Sequence, residues 1–157
     1  MSATATILDV YCVHAATGTD STSNEAVAAL AGKIPLAGGT LEGLVQSVPA
    51  ALAAIDASRD DPDDLYLTTS TQGDLSQAIW PGNGSAGSVG SGQTQPLGVT
   101  VPVQGVQNLS LWDHDLSGDD LLGSIRIEES ELGEGPIAKV ASSPVEGSVY
   151  LVNYRVD

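Results

Sequence analysis

The chain has 157 residues, which is enough for one domain with a substantial core but short for two. Its 20 acidic and 5 basic residues give a net charge of −15, and the scattered lysines and arginines exclude the basic surface that nucleic-acid binding requires. No run of about 18 apolar residues occurs, so no transmembrane segment is predicted. The N-terminus lacks the regions of a signal peptide, so we expect a protein that is cytoplasmic or exported by a route that needs no such signal.

The first predicted element is a strand over residues 4 to 14, which are rich in apolar and β-branched side chains. Strict alternation puts one set of side chains on one face, Leu8, Val10 and Cys12, and a second set on the other, Ile7, Tyr11 and Val13. Because both faces are largely apolar, we expect a central strand that is at least partly covered on both sides. Cys12 is the single cysteine, so no intrachain disulfide can form, and we expect a small buried side chain.

Residues 15 to 58 replace the strand pattern with turn residues and helical spacing, and they predict a helical insertion in a β framework. Ser23 or Asn24 can cap a first short helix. Thr40 can cap a second helical pattern, in which Pro49 marks either a kink or the start of a further helix. We expect this insertion to pack on the domain.

A second acidic cluster precedes a short strand pattern over residues 65 to 69. It consists of four aspartates, Asp60, Asp61, Asp63 and Asp64. These residues can form a solvated turn, or they can supply carboxylates that complete a cation site built mainly elsewhere in the chain. The sequence leaves both interpretations open.

Residues 82 to 95 are rich in glycine and serine and predict a flexible loop. They do not resemble a phosphate-binding loop, because no strong strand precedes them and no helix follows. Further strands are predicted at 97 to 103, 137 to 141 and 148 to 156. In the last, one face should carry Val149 and Leu151 and the other Tyr150, Val152, Tyr154 and Val156. Residues 1 to 157 therefore predict a single all-β domain, an antiparallel Greek-key sandwich of about seven or eight strands.

Residues 108 to 127 carry the most informative pattern, a strand followed by an acidic loop and a second strand. Apolar residues alternate with polar ones on both sides of the loop. Within the loop lie four aspartates, Asp113, Asp115, Asp119 and Asp120. Because like charges this close repel one another, the loop requires either full solvation or a bound cation. Calcium, which takes six to eight oxygen ligands, fits such a loop, although a solvated turn that binds nothing is also compatible.

Two known calcium loops share part of this pattern. Asp-x-Asp-x-Ser-Gly at residues 113 to 118 copies the first half of an EF-hand loop, but the twelfth position is Ser124 instead of glutamate and the flanks are strands. The string Leu-Trp-Asp-His-Asp, followed by Leu-Ser-Gly-Asp and Asp-Leu-Leu-Gly up to Gly123, resembles the third calcium loop of C2 domains. Asp64-Leu65-Tyr66 resembles the strand entry after the first calcium loop of that family, with leucine in place of proline.

The resemblance to C2 domains implies a set of calcium ligands at one end of the sandwich. Asp113, Asp115 and Asp120 would supply carboxylates from the third loop, and Asp64 would supply one from the first. The turn is about one residue shorter than the family pattern, so an auxiliary oxygen would come from Asp119 or Ser117. Calcium-dependent binding to phospholipid or to a protein partner would follow, with Leu116 and Leu121 available to enter a membrane.

Catalysis is not expected, because the chain has two histidines, one cysteine in an apolar context and no Gly-x-Ser-x-Gly motif. His114 should point away from the carboxylates of Asp113 and Asp115, since successive residues of an extended chain face opposite sides. The alternative to a calcium-binding module is a non-catalytic structural or interaction component of a larger assembly without a functional calcium site. The sequence does not indicate the oligomeric state.

Overall fold

The computed structural model describes residues 3–16, 21–36, 39–57, 62–82, 84–116 and 118–157. Within these residues the chain forms two antiparallel sheets that pack face to face, and α-helices cover the outer face of one sheet. The predicted all-β sandwich with a helical insertion is therefore confirmed.

The described residues form nine strands and three α-helices. In chain order these are β1 (Ala3–His14), α1 (Ser21–Leu30), β2 (Ile34–Pro35), α2 (Leu41–Gln46), α3 (Pro49–Ala57), β3 (Asp63–Thr68), β4 (Gly87–Val89), β5 (Thr94–Val103), β6 (Val106–Asp113), β7 (Asp120–Glu128), β8 (Ile137–Ser142) and β9 (Val149–Val156). Short 3₁₀ turns occupy Leu75–Gln77 and Glu129–Glu131. This is more than the predicted seven or eight strands, because the short strands β2 and β4 were not anticipated.

One sheet has the strand order β2-β8-β9-β1-β5 and the other β4-β3-β6-β7. The chain crosses between the sheets from β2 to β3, from β4 to β5, from β5 to β6 and from β7 to β8. Such crossings are typical of Greek-key sandwiches. Strand β1 lies between β5 and β9, as its two apolar faces predict.

The alternation of side chains in β1 changes at a β-bulge. Its pairing with both β5 and β9 shifts register between Ile7 and Asp9. Ile7 therefore lies with Val10 and Cys12 in the core between the sheets, whereas Tyr11 faces the helices. The prediction that Ile7 shares a face with Tyr11 is wrong, because one extra residue in a strand reverses every later side chain.

Strand β9 has the predicted alternation and separates the two hydrophobic cores. Its even-numbered apolar residues lie between the sheets, and Val149 and Leu151 pack with residues of the three helices. Because β1 and β9 are adjacent in the sheet, together they present the apolar surface on which the helical insertion rests.

The helices begin close to the predicted positions. α1 begins at Ser21, ahead of the proposed caps Ser23 and Asn24. A backbone N–H of the first turn of α2 donates to Thr40 Oγ1 at 3.0 Å, which confirms that cap. Pro49 begins α3, so a second helix start is the correct alternative at this proline. No helix within the described residues has the length and hydrophobicity needed to cross a membrane.

Part of the Gly/Ser segment at residues 82 to 95 is a strand. β4 pairs with the beginning of β3, and β5 begins at Thr94, so a flexible loop over the whole segment is wrong. A Cβ added at Gly87 would lie 2.7 Å from the Trp80 ring, so this position requires glycine for the ring to pack closely. Propensity did not anticipate β4, because its pairing partner and the tryptophan lie elsewhere in the sequence.

Candidate acidic metal site

Three strand ends of the four-stranded sheet meet at one end of the sandwich. β3 begins at Asp63, β6 ends at Asp113 and β7 begins at Asp120. In the register, Asp113 lies opposite Leu65 on one side and Asp120 on the other. The backbone N–H of Asp64 donates to the Asp113 carboxylate at 2.7 Å. Sheet pairing thus brings acidic residues from distant parts of the sequence together.

Asp113 lies at the centre of this group and is half-buried. Burial raises the pKa of its carboxyl, the Asp64 N–H opposes the rise, and the negative charges of Asp64, Asp120 and Asp115 add to it. Among the described residues, no lysine or arginine forms an ion pair with Asp113, Asp64 or Asp120. The charge that accumulates here has no built-in counter-charge in the described part of the chain.

Asp119, predicted as an auxiliary ligand, is hydrogen-bonded within the protein. Its Oδ2 accepts a hydrogen bond from the Tyr66 hydroxyl, and its Oδ1 lies 2.9 Å from His114 Nδ1 and 3.2 Å from the backbone N of Asp115. Burial alone would raise the pKa of Asp119, but these donors lower it. Asp119 therefore holds the acidic loop in shape, and it is the partner of His114.

Asp63 points into the protein, and the sequence did not distinguish it from its acidic neighbours. It is 3% exposed, its Oδ2 accepts a hydrogen bond from the Tyr150 hydroxyl at 2.6 Å, and the N–H of Ala16 donates to both oxygens. Burial raises the pKa of Asp63 to about 6, although these two donors act against the rise. Successive strand residues face opposite sides, so one residue of the adjacent pair Asp63 and Asp64 points into the sandwich. Two consecutive aspartates at the start of a strand were therefore the sequence signal for a buried carboxylate.

Cys12 lies in the same buried region, near Tyr150. Its Sγ is 3.9 Å from Ser91 Oγ, and burial raises the pKa of the thiol to about 12. A thiol with so high a pKa is almost entirely protonated near neutral pH and is a poor nucleophile or metal ligand. The expectation of a small buried side chain is confirmed.

The predicted ligands fall into three groups. Asp64, Asp113 and Asp120 lie at adjacent strand ends, with exposed Asp115 two residues beyond β6. Asp119 is bonded to Tyr66. Outside the described residues lie Ser117 and part of the second acidic cluster, Asp60 and Asp61. Within the described ranges, no three histidine, cysteine or acidic side chains are already grouped so that they can hold a metal ion.

Comparison with known proteins finds no family model and no curated protein that matches the chain. Among solved structures, human GIVD cytosolic phospholipase A2 in complex with methyl gamma-linolenyl fluorophosphonate and terbium chloride is similar over 99% of this chain and 17% of the phospholipase chain, with 15% identity and a TM-score of 0.36. The same enzyme with the fluorophosphonate is similar over 99% of this chain and 16% of its own, with 14% identity and a TM-score of 0.36. This chain thus spans a small part of the length of that enzyme.

Proposed function

We propose that the chain is a C2-like, non-catalytic module that binds calcium through carboxylates at one end of the sandwich. The observation that supports this most is the meeting of Asp64, Asp113 and Asp120 at adjacent strand ends without a lysine or arginine partner among the described residues. A hard divalent cation prefers carboxylate oxygens and would supply the missing positive charge.

In this proposal Asp113 is the central ligand, since it lies between the other two strand ends. Asp64 supplies a carboxylate from β3 and Asp120 one from β7, while Asp115 extends from the connecting loop. Asp119 or Ser117 is proposed to complete the oxygen set. Because the carboxylates are not already grouped, the side chains would have to turn toward a common point.

A calcium titration followed by thermal melting tests the proposal. At a calcium concentration of about 100 times Kd, binding stabilises a folded protein by about 2.7 kcal/mol, which for a chain of this size raises Tm by roughly 5–10 °C. Asp113→Asn should abolish the shift, because it removes the central charge. Asp157→Asn is the matched control, since Asp157 pairs with Arg155 instead. An unchanged Tm at millimolar calcium would contradict the proposal.

We further propose that the calcium-bound end docks on a phospholipid surface. Leu116 is 100% exposed and Leu121 40% exposed in or beside the acidic loop. Apolar side chains at such a tip can enter the interfacial layer of a membrane once the neighbouring carboxylates are neutralised. Vesicles of phosphatidylcholine and phosphatidylserine should sediment the protein with calcium and not with EDTA.

Leu116→Ser should weaken this sedimentation, whereas Val106→Ser, which changes a 45% exposed residue at the opposite end of β6 from the acidic loop, should leave it unchanged. Calcium binding without any sedimentation would favour the alternative function. In that case calcium would stabilise the loops of a structural or interaction module that has no membrane target.

A further inference from the structure

Strand β7 is the outer strand of the four-stranded sheet, and side chains take the place of its missing neighbour. Its even-numbered residues direct backbone groups away from β6. Three side chains bond to these groups: Ser148 Oγ donates to Leu122 O at 2.5 Å, Lys139 Nζ donates to Arg126 O at 2.5 Å, and Glu131 Oε1 accepts from the Glu128 N–H at 2.9 Å. These contacts protect parts of an edge that another strand could otherwise pair with.

Between these contacts, backbone groups of Ser124 and Arg126 have no hydrogen-bond partner among the described residues on the side away from β6. The N–H and C=O of one residue in an antiparallel strand point to the same side. The N–H of Arg126 and both backbone groups of Ser124 therefore face the side on which Lys139 reaches Arg126 O. Unlike the protected groups, these two N–H groups donate no hydrogen bond, and this C=O accepts none, to or from any described side chain.

A cleft of about 330 Å³ opens beside these backbone groups, between β7 and β8. Ile125 and Val140 supply apolar contacts in its lining, and Lys33, Arg126 and Lys139 supply positive charges. Three of the five basic residues of an otherwise strongly acidic chain thus line a single cleft.

The charges around the cleft leave one cation uncompensated. Lys33 pairs with Glu134 at 2.9 Å and Lys139 with Glu131 at 2.9 Å, but no carboxylate in the described ranges pairs with Arg126. Lys139 donates one of its three protons to Arg126 O and lies 2.9 Å from Glu131 Oε2 in an ion pair, so at least one proton remains for a ligand. Negative charge farther away than about 8 Å is screened at physiological ionic strength. Glu128, Glu131 and Glu134 all act on Lys33, so the Arg126 guanidinium is the group that can recognise a carboxylate in the cleft.

We propose that this cleft binds an extended peptide segment of a partner that carries an acidic side chain. The main chain of the segment would pair with the open backbone groups of Ser124, as when a strand is added to the edge of a sheet. Its carboxylate would accept hydrogen bonds from the Arg126 guanidinium and the remaining Lys139 proton. A neighbouring apolar side chain would pack on half-buried Val140. The site is separate from the acidic end, and the proposal does not depend on calcium binding.

Titration with two matched peptides in EDTA, followed by ¹H–¹⁵N NMR, tests the proposal. The probes are acetyl-Val-Thr-Glu-Val-Thr-amide and the same peptide with glutamine in place of glutamate. The acidic peptide should shift the amide signals of Ser124, Arg126 and Val140. The glutamine peptide should bind at least tenfold more weakly, because hydrogen bonds to a charged group are lost.

Arg126→Gln should weaken binding of the acidic peptide at least tenfold, and Arg155→Gln is the matched control. Arg155 is also an exposed arginine on a strand, but it pairs with Asp157 and does not line the cleft. The spectrum of each variant shows whether it is folded. Wild-type affinity in Arg126→Gln, an equal loss in Arg155→Gln, or equal binding of the two peptides would overturn the proposal. Sodium acetate that binds as tightly as the acidic peptide would also overturn it, since the site would then recognise only a simple ion.

Discussion

Two buried or half-buried carboxyl groups in this protein, those of Glu131 and Asp113, have pKa values shifted in opposite directions. Glu131 is fully buried, but the Glu128 N–H, the Tyr154 hydroxyl and Lys139 outweigh the cost of burial and lower the pKa of its carboxyl. Asp113 is only half-buried, yet the pKa of its carboxyl is raised. Burial raises the pKa of both carboxyls, but the donors and cation around Glu131 outweigh it, whereas the Asp64 N–H at Asp113 does not.

This difference separates a structural carboxylate from a candidate ligand site. Within the fold, Glu131 Oε1 accepts two hydrogen bonds, and Oε2 lies 2.9 Å from Lys139 Nζ in an ion pair. The acidic end gathers charge that disfavours the folded state until a cation binds. We therefore expect mutations at the two sites to change stability with opposite signs.

Removal of Lys139 should have the largest effect, because it takes away the nearer cation of buried Glu131 and leaves Lys33, 3.8 Å from Glu131 Oε2. Loss of one partner of a buried ion pair costs about 3 kcal/mol or more. Lys139→Met should therefore lower the free energy of unfolding by about 3 kcal/mol in urea titrations. Arg155→Met is the control: it removes an ion pair with Asp157 in which both side chains are largely exposed, and loss of an exposed pair costs less than about 1 kcal/mol. Similar losses in both variants would contradict the distinction drawn for Glu131.

Because the pKa of Asp63 is raised in the folded protein, the free energy of unfolding should depend on pH. This pKa is about 6 in the folded protein and 3.8 as an ordinary aspartate, so between these values the folded state binds more protons than the unfolded state. Stability should therefore increase as the pH falls through 6. From pH 7 to pH 5 in EDTA we expect a gain of about 1 kcal/mol from this residue.

Asp63→Asn should remove this gain, because the amide does not titrate. Urea unfolding of both proteins at pH 7 and pH 5 makes the measurement, and at these pH values Glu131, whose pKa is lowered, remains ionised. A wild-type protein that is less stable at pH 5 than at pH 7 would show that other groups outweigh Asp63.

Asp113→Asn should have the smallest effect on the free energy of unfolding of the calcium-free protein. Whether the variant is more or less stable tests for charge repulsion at the acidic end. In EDTA at pH 7 the variant should be more stable than the wild type by about 0.5 kcal/mol, because a repelled, half-buried charge is removed. In calcium the order should reverse, since the wild type gains binding energy and the variant does not. Urea unfolding in the two buffers makes the comparison, and a variant that is destabilised in both would count against repulsion at this end.

Regular alternation allowed the sandwich to be predicted where strands are uninterrupted. The faces of β9 are predicted correctly, because each of its apolar side chains meets one of two apolar surfaces. The same rule fails in β1 at Asp9, where an added residue reverses the faces. It also misses β4, a short strand whose pairing partner β3 lies elsewhere in the sequence.

The candidate site was predictable in its main-chain placement and not in the direction of its side chains. Acidic residues at three strand ends become neighbours once the strands pair, so Asp64, Asp113 and Asp120 follow from the strand pattern and the C2 resemblance. The inward direction of Asp63 depends on Tyr150, which is 87 residues away, and that of Asp119 depends on Tyr66. The local sequence around Asp63 and Asp119 does not indicate which distant side chains they contact.

The pairing of β1 with β9 has a consequence for the rate at which the protein folds. It joins residues such as Ala5 and Val156, which lie far apart in the sequence, so a large loop must close before these contacts form. Proteins dominated by such long-range pairing fold in milliseconds to seconds. The helices pack on residues of both strands, including Tyr11 and Leu151. We therefore expect this helical layer to become stable only after the first and last strands have met.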